Sequence, residues 1–268
     1  MITLKSESEL LVMERCNEIV LEILSELGDL IYPGVNVLDL DRYAEEQTRR
    51  AGAIPSFKGY KGFPAALCVS INEQVVHGIP AQRQLKEGDL VSLDFGVFFE
   101  EFHGDAAQTF AVGKVPPGHA RLVADTREAL RHGILEMGPG KRLGDVGHAV
   151  QSFAESRGWS VVRDFVGHGI GRELHERPSL PNYGRPGTGL RMEEGMVLAV
   201  EPMLNMGGPA VTTGKDNWTV STQDGMPSAH FERSVAITGS GPWVLGTGGR
   251  PGEVNLSLPG VSARTSAV

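Results

Sequence analysis

Residues 165–175, Phe165-Val166-Gly167-His168-Gly169-Ile170-Gly171-Arg172-Glu173-Leu174-His175, place two histidines seven residues apart around three alternating glycines. The G-x-G-x-G spacing is not the G-x-G-x-x-G of a dinucleotide loop, and a histidine occupies its first gap. The stretch therefore does not announce a nucleotide-binding, doubly wound sheet. Strand-like apolar runs with acidic residues inside them flank it on both sides. Its reading is one metal ligand and one substrate-facing imidazole, to which the rest of the chain brings carboxylates.

Four carboxylates lie within or at the edge of such runs: Asp94 in Val91-Ser92-Leu93-Asp94-Phe95-Gly96, Asp105 after His103-Gly104, Glu201 in Leu198-Ala199-Val200-Glu201-Pro202, and Glu232 in His230-Phe231-Glu232-Arg233-Ser234-Val235. An ionised carboxylate is rarely buried without a partner. Taken singly, each has an ordinary explanation: Asp94 a turn cap at a strand end, Asp105 a turn beside Gly104, Glu232 an ion pair with Arg233. Brought together, they would repel one another strongly unless cations held them. With His168 they make a set suited to two divalent ions bridged by carboxylates. His77 follows an apolar strand, and on its own it reads, like His175, as a hydrogen-bonded core histidine. His103, His119, His132, His148 and His230 are assigned surface or structural roles.

Outward from these residues, helices and strands are legible. Ser6 and Glu9 make a capping box, and Leu10, Met13, Cys16, Val20, Ile23, Leu24 and Leu27 follow at helical spacing, which predicts a helix over about 7–29. Pro33-Gly34 breaks it. A second helix, capped by Asn36, runs from Leu38 to about Arg50, and two more are expected at about 118–136 and 142–157. Strands are predicted at 64–74, 89–99, Ala106 to Val112, 160–165, 196–204 and 229–238. Pro33-Gly34, Val37, Asp39 and Gly52 match Pro139-Gly140, Leu143, Asp145 and Gly158 at a constant offset of 106 residues. Two α/β halves related by a pseudo-two-fold would put a shared site between them.

With 25 basic and 33 acidic residues, the 268-residue chain carries a formal charge of −8, which argues against broad binding to nucleic acid or anionic membrane. Only Cys16 and Cys68 are present, too few for a disulfide framework or a four-thiolate zinc site. The N-terminus lacks a signal-peptide pattern, no apolar run approaches the ~20 residues of a membrane span, and a cytoplasmic protein is expected. There is no Walker sequence and no G-x-S-x-G elbow. Residues 249–268, rich in Gly, Pro and Ser, are expected to form a flexible C-terminal tail.

The stretch FVGHGIGRELHERPSLPNY, residues 165–183, resembles the signature of type I methionine aminopeptidases, and the order Asp94, Asp105, His168, Glu201, Glu232 resembles their two-metal ligand set. The similarity runs from the N-terminal helix to about residue 245, through VHGIP at 76–80, FHGD at 102–105, EPM at 201–203 and DNWTV at 216–220. It implies an α+β pita-bread fold: a curved antiparallel sheet with outer helices and two pseudo-symmetric halves, about 1–113 and 114–248, in one domain.

The resemblance also implies removal of N-terminal methionine from peptides and nascent proteins whose second residue is small and uncharged. It implies two divalent ions (Co, Mn, Fe or Zn), bridged by Asp105 and Glu232. Asp94 would chelate one ion, and His168 and Glu201 would complete the shell of the other. Glu201 would accept and shuttle the proton, and His77 and His175 would hydrogen-bond the scissile peptide. Phe57, Tyr60, Phe63, Cys68, His77, Leu174 and Trp218 would line the methionine pocket. A monomer is expected, with the ribosome as a candidate partner and no direct nucleic-acid readout.

Type II enzymes carry an insertion in the second half, whereas His168 and Glu201 are 33 positions apart here. Prolidases carry an extra N-terminal domain, and here only about 90 residues precede Asp94. Two cysteines cannot supply the zinc region of eukaryotic type I enzymes, and a catalytically silent homologue would have lost a ligand. A compact bacterial-type enzyme is the expectation that remains.

Overall fold

The computed structural model describes residues 2–258. Helix α1, Glu7–Asp29, starts at the predicted capping box: Ser6 Oγ accepts from the Glu9 amide while the Ser6 amide donates to Glu9 Oε2. Leu10, Met13, Cys16, Val20, Ile23, Leu24 and Leu27 are all buried. Full burial of aliphatic side chains of this size contributes about 1.5–3 kcal/mol each. Helix α2, Val37–Arg50, is capped by Asn36, whose Oδ1 accepts from the Leu38 amide at 3.1 Å. Helices α3, Pro117–Leu135, and α4, Leu143–Ser156, belong to the second half.

The 106-residue offset appears in the backbone. Helix α4 is displaced from α2 by 106 positions at both ends, and α1 and α3 end at residues 29 and 135. The turns correspond as well. Gly34 and Gly140 have φ of +102° and +89°, and Gly52 and Gly158 have +73° and +85°. These are left-handed conformations that only glycine adopts freely, which is why the same punctuation recurs in both copies.

The main sheet is antiparallel throughout. Its strands are β1 (Ile54–Pro55), β2 (Leu67–Ile71), β4 (Leu90–Phe99), β5 (Phe102–Ala111), β7 (Gly167–Gly169), β8 (Glu176–Leu180), β9 (Val197–Val200), β14 (Glu232–Thr238) and β15 (Gly241–Val244). The order is β1-β4-β5-β14-β9-β7-β8, with β2 also on β4 and β15 also on β14. One small sheet joins β6 (Ser160–Val161), β10 (Met203–Asn205) and β13 (Ser228–His230). Another joins β3 (Gln74–Val76), β11 (Val211–Thr213) and β12 (Val220–Thr222). On β4, Leu93, Phe95 and Val97 enter the core that α1 and α2 cover, so the alternation of a strand turns Asp94 to the opposite, concave face. In the second half α3 and α4 cover a core that includes Leu122, Ala129, Val150, Ala154 and Trp159.

Three predicted strands are interrupted. The run 196–204 divides into β9 and β10 at Glu201-Pro202, and 229–238 divides into β13 and β14 at Phe231. The two breaks adjoin, since the Phe231 amide donates to the Pro202 carbonyl at 3.3 Å, and proline cannot donate to a ladder. The run 64–74 is β2 followed by a tight turn into β3, with Asn72 at φ +58°. Of 160–165 only Ser160–Val161 forms a strand, and the Val162 amide still donates to the Met203 carbonyl at 3.1 Å. Residues 249–258 of the segment expected to be flexible bury Leu256 and Leu258, because these apolar side chains find room against the core; 259–268 lie outside the described residues. Among the described residues no helix is long and apolar enough to cross a membrane.

Candidate active site

The strand register gathers the acidic residues. Across three neighbouring strands Asp94 pairs with Ala107 and Ala107 with Glu232, so all three side chains stand on one face, and Asp105, two residues before Ala107, joins them. On the other side, His168 pairs with Ala199 and Ala199 with Ser234. Glu201, two residues beyond Ala199, and Glu232, two before Ser234, share that face. Small residues therefore stand between the large polar ones, and Ala107, Ala199 and Ser234 leave the space in the middle. His168 reaches this position because its flanking glycines permit close strands: a Cβ on Gly167 would stand 2.3 Å from the Ala199 carbonyl oxygen, and one on Gly169 2.4 Å from that of Arg177.

One ligand atom each from Asp105, His168 and Glu232 lie within 4.8 Å of one another. Glu201 Oε1 is 3.6 Å from His168 Nε2. Asp94 Oδ1, Asp105 Oδ1 and Glu232 Oε1 are buried and, among the described residues, have no hydrogen-bond partner. Orphaned buried oxygens of this kind are costly unless a cation completes them. Desolvation pushes the Asp94 carboxyl up to about 7. Desolvation, then the Asp94 and Glu201 charges, raises Asp105 well above the carboxylate range. Glu201 is raised by burial and by Asp94, and Glu232 by burial and then by Asp105, Glu201 and Asp94. The imidazoles shift the opposite way. Burial lowers His168 and His77, and burial with the neighbouring His168 lowers His175 to about 3. His168 beside Glu201 is thus a neutral donor atom and not half of an ion pair. Neutral imidazole and four carboxylates are the donor chemistry that hard and borderline divalent ions take.

All the residues expected at the site line a single cavity: Asp94, Asp105, His168, Glu201 and Glu232 at its floor, with His77, His175, Phe57, Tyr60, Phe63, Cys68, Leu174 and Trp218 around them. Lys61 lines it too and was not foreseen. Trp218 meets Phe63 edge to face at 5.1 Å and His77 at 6.4 Å. Asp216 holds that wall in place, its carboxylate accepting from the Trp218 and Thr219 amides and from Thr219 Oγ1. His77 adopts φ +58°, a left-handed conformation uncommon for a non-glycine residue and frequent at functional sites. The loop carrying Leu174 and His175 is tied down by Arg172, which bonds Glu101 and Glu9, and by the His103 amide, which donates to the Gly171 carbonyl.

His230, expected to be a surface or structural residue, is 1% exposed with Nε2 3.8 Å from Glu201 Oε2, and burial lowers it to about 3. It stands two residues before Glu232, and that period-two relation was the available signal. Arg233 does not pair with the Glu232 carboxylate. Successive strand residues point to opposite faces, and its guanidinium donates instead to the Glu232 and Ala107 carbonyls.

Residues 12–239 match metallopeptidase family M24. The methionine aminopeptidase of Clostridium acetobutylicum is 49% identical over 246 residues, covering 91% of this chain and 98% of its own length. Methionine aminopeptidase 1 of Bacillus subtilis is 47% identical, covering 90% and 97%. The crystal structure of methionine aminopeptidase from Rickettsia prowazekii superposes with a TM-score of 0.91 at 40% identity, covering 92% of this chain and all of that one.

Proposed function

The chain belongs to metallopeptidase family M24, and on that premise we propose that it hydrolyses the N-terminal methionine from nascent proteins and peptides whose second residue is small and uncharged. Use of a divalent metal comes with the family. The finer reading is that Asp94, Asp105, His168, Glu201 and Glu232 would hold two such ions, of Co, Mn, Fe or Zn. The observation that carries it is the set of buried carboxylate oxygens on Asp94, Asp105 and Glu232 without partners among the described residues, facing one cavity beside His168. When bound, such ions supply Lewis acidity that makes hydroxide available near neutral pH and anchor a free amine.

The chain's own groups do the rest. Glu201 takes the proton of the attacking water at a carboxylate oxygen and passes it to the leaving amine. The imidazoles of His77 and His175, kept neutral by burial, donate hydrogen bonds to the scissile carbonyl as its oxygen gains charge. Phe57, Phe63, Cys68, Leu174 and Trp218 make an apolar wall suited to a flexible thioether. The substrate is a peptide chain end, and a nascent chain makes the ribosome a candidate partner of a monomer in the cytoplasm.

Metal-stripped protein assayed with Met-Ala-Ser and Ala-Pro peptides, with and without added Co²⁺, Mn²⁺ or Fe²⁺, tests this reading. Metal-dependent release of methionine from the first peptide alone is expected. Equal activity on both, or none with any metal, would overturn it.

A further inference from the structure

Tyr60 is counted above among the residues around the methionine side chain, yet its hydroxyl does not end in an apolar pocket. It lies 2.9 Å from Nδ1 of His175, and the two rings stack with centroids 5.3 Å apart and planes 18° apart. The turn that presents it is fixed on both sides. Gly59 and Gly62 have φ of +86° and +91°, the Tyr60 amide donates to the Phe57 carbonyl, and the Gly59 amide donates to the Phe63 carbonyl. His175 is held equally firmly, by the Arg172 anchors of its loop and by its ring against His168 at 4.2 Å.

A neutral imidazole carries one ring proton, on Nδ1 or on Nε2, and only the nitrogen that carries it can donate a hydrogen bond. A phenol O–H is a far stronger acid than a neutral imidazole N–H, and an imidazole nitrogen is a better acceptor than a phenol oxygen. The 2.9 Å contact therefore runs from the Tyr60 hydroxyl to His175 Nδ1. Lys61 strengthens that direction: its Nζ lies 5.2 Å from the centroid of the Tyr60 ring, where a cation draws electron density from the π system and makes the hydroxyl a better donor.

We propose that Tyr60 is a positioning residue that locks His175 in the Nε2–H tautomer, so that Nε2–H faces the cavity as the hydrogen-bond donor to the developing oxyanion. The inference rests on the role given to His175 under the proposed function, but the tautomer itself is a property of the metal-free chain. Nδ1 is occupied by Tyr60, which leaves Nε2 as the only ring nitrogen available to a peptide in the cavity that His175 lines. Without the hydroxyl, both tautomers become accessible, and the Nδ1–H form presents an acceptor where the reaction needs a donor. Partners that orient metal-ligating histidines through the second nitrogen change metal affinity or activity by about 10–100-fold, and an effect at the lower end of that scale is expected for His175.

Tyr60→Phe keeps the ring, the stacking and the pocket wall and removes only the donor. The expected result is a kcat for Met-Ala-Ser about 10-fold or more below the unaltered protein, with KM changed less than about 2-fold. On metal-free protein, long-range ¹H–¹⁵N spectra, with the His175 signals assigned by their loss in His175→Gln, should show the Nε2–H tautomer in the unaltered chain and a mixture in Tyr60→Phe. An Nδ1–H tautomer in the unaltered chain, or an unchanged tautomer in Tyr60→Phe, would overturn the proposal. If the unaltered protein releases no methionine the function is wrong, and the spectra still decide the tautomer independently.

Discussion

Arg233 Nη2 donates to the Leu256 carbonyl oxygen at 3.0 Å, so a guanidinium that immediately follows Glu232 is closed over by the last described stretch of the chain. The same side chain is 1% exposed and also donates to the Ala107 and Glu232 carbonyls and to Gln108 Oε1. Ala107 is the residue that stands between Asp94 and Glu232 in the register. Arg233 thereby ties the C-terminal segment to the strands beneath the site. Its pKa falls to about 10 through burial, which leaves it charged at neutral pH.

Arg233→Met should lower stability by about 3 kcal/mol, because it leaves several buried carbonyls without a donor. Ending the chain after Gly248 should cost about 2–4 kcal/mol through the lost burial of Leu256 and Leu258 and the lost acceptor. Urea unfolding followed by circular dichroism measures both. A midpoint unchanged by the truncation would mean that the segment does not contribute to the folded state.

Metal removal should reverse the pH dependence of stability. Asp94 is raised from 3.8 to about 7, and Asp105, Glu201 and Glu232 are likewise raised well above the carboxylate range by burial and mutual repulsion. In that window the folded, metal-free chain holds protons that the unfolded chain has released. Its stability is therefore fullest below the unfolded carboxylate range and declines as pH rises towards and through the folded values. A bound divalent ion takes the place of those protons, so added Mn²⁺ should stabilise more at about pH 8 than at about pH 6. Thermal midpoints of stripped and Mn²⁺-loaded protein that move in parallel with pH would contradict the carboxylate cluster as the metal site.

Glu201→Gln should lower kcat by about 10²–10⁴-fold, the usual contribution of a positioned proton-transfer group. The change keeps the side chain's size but removes a charge and the proton acceptor. Kinetics close to those of the unaltered protein would show that another group moves the proton.

His175→Ala should lower kcat by about 10²-fold, the scale of one lost oxyanion donor, and leave bound metal nearly unchanged. Elemental analysis after dialysis separates the two roles. Loss of metal with the imidazole would make His175 a ligand and not a donor to the peptide.

Much of this architecture could be read from residue pattern because local rules and tertiary packing agree. Ser6 with Glu9, Asn36, and the glycines at 34, 52, 140 and 158 are punctuation whose physical reason is local. Strand β4 was legible for the same reason, whereas β5, expected from Ala106, begins at Phe102 in a tight hairpin with β4. Interruptions at Glu201-Pro202 and Phe231 were not, since each depends on the other across the sheet. In the site, carboxylates inside apolar runs stood out because burial without a partner is so unfavourable. His230 did not stand out, because a lone histidine among apolar residues looks like core until the register sets it beside Glu201. The ordinary alternative for Glu232, an ion pair with Arg233, fails for a simpler reason: adjacency on a strand separates the two side chains.

In the proposed reaction the cavity takes a free amino terminus and releases one methionine from it. Mn²⁺-loaded protein incubated with Met-Ala-Ser peptide and with its N-acetylated counterpart, followed by mass spectrometry, tests that directly. Loss of a single methionine from the free-amine peptide, with the acetylated one intact, is the predicted result; cleavage of the acetylated peptide, or failure to cleave either, would contradict it.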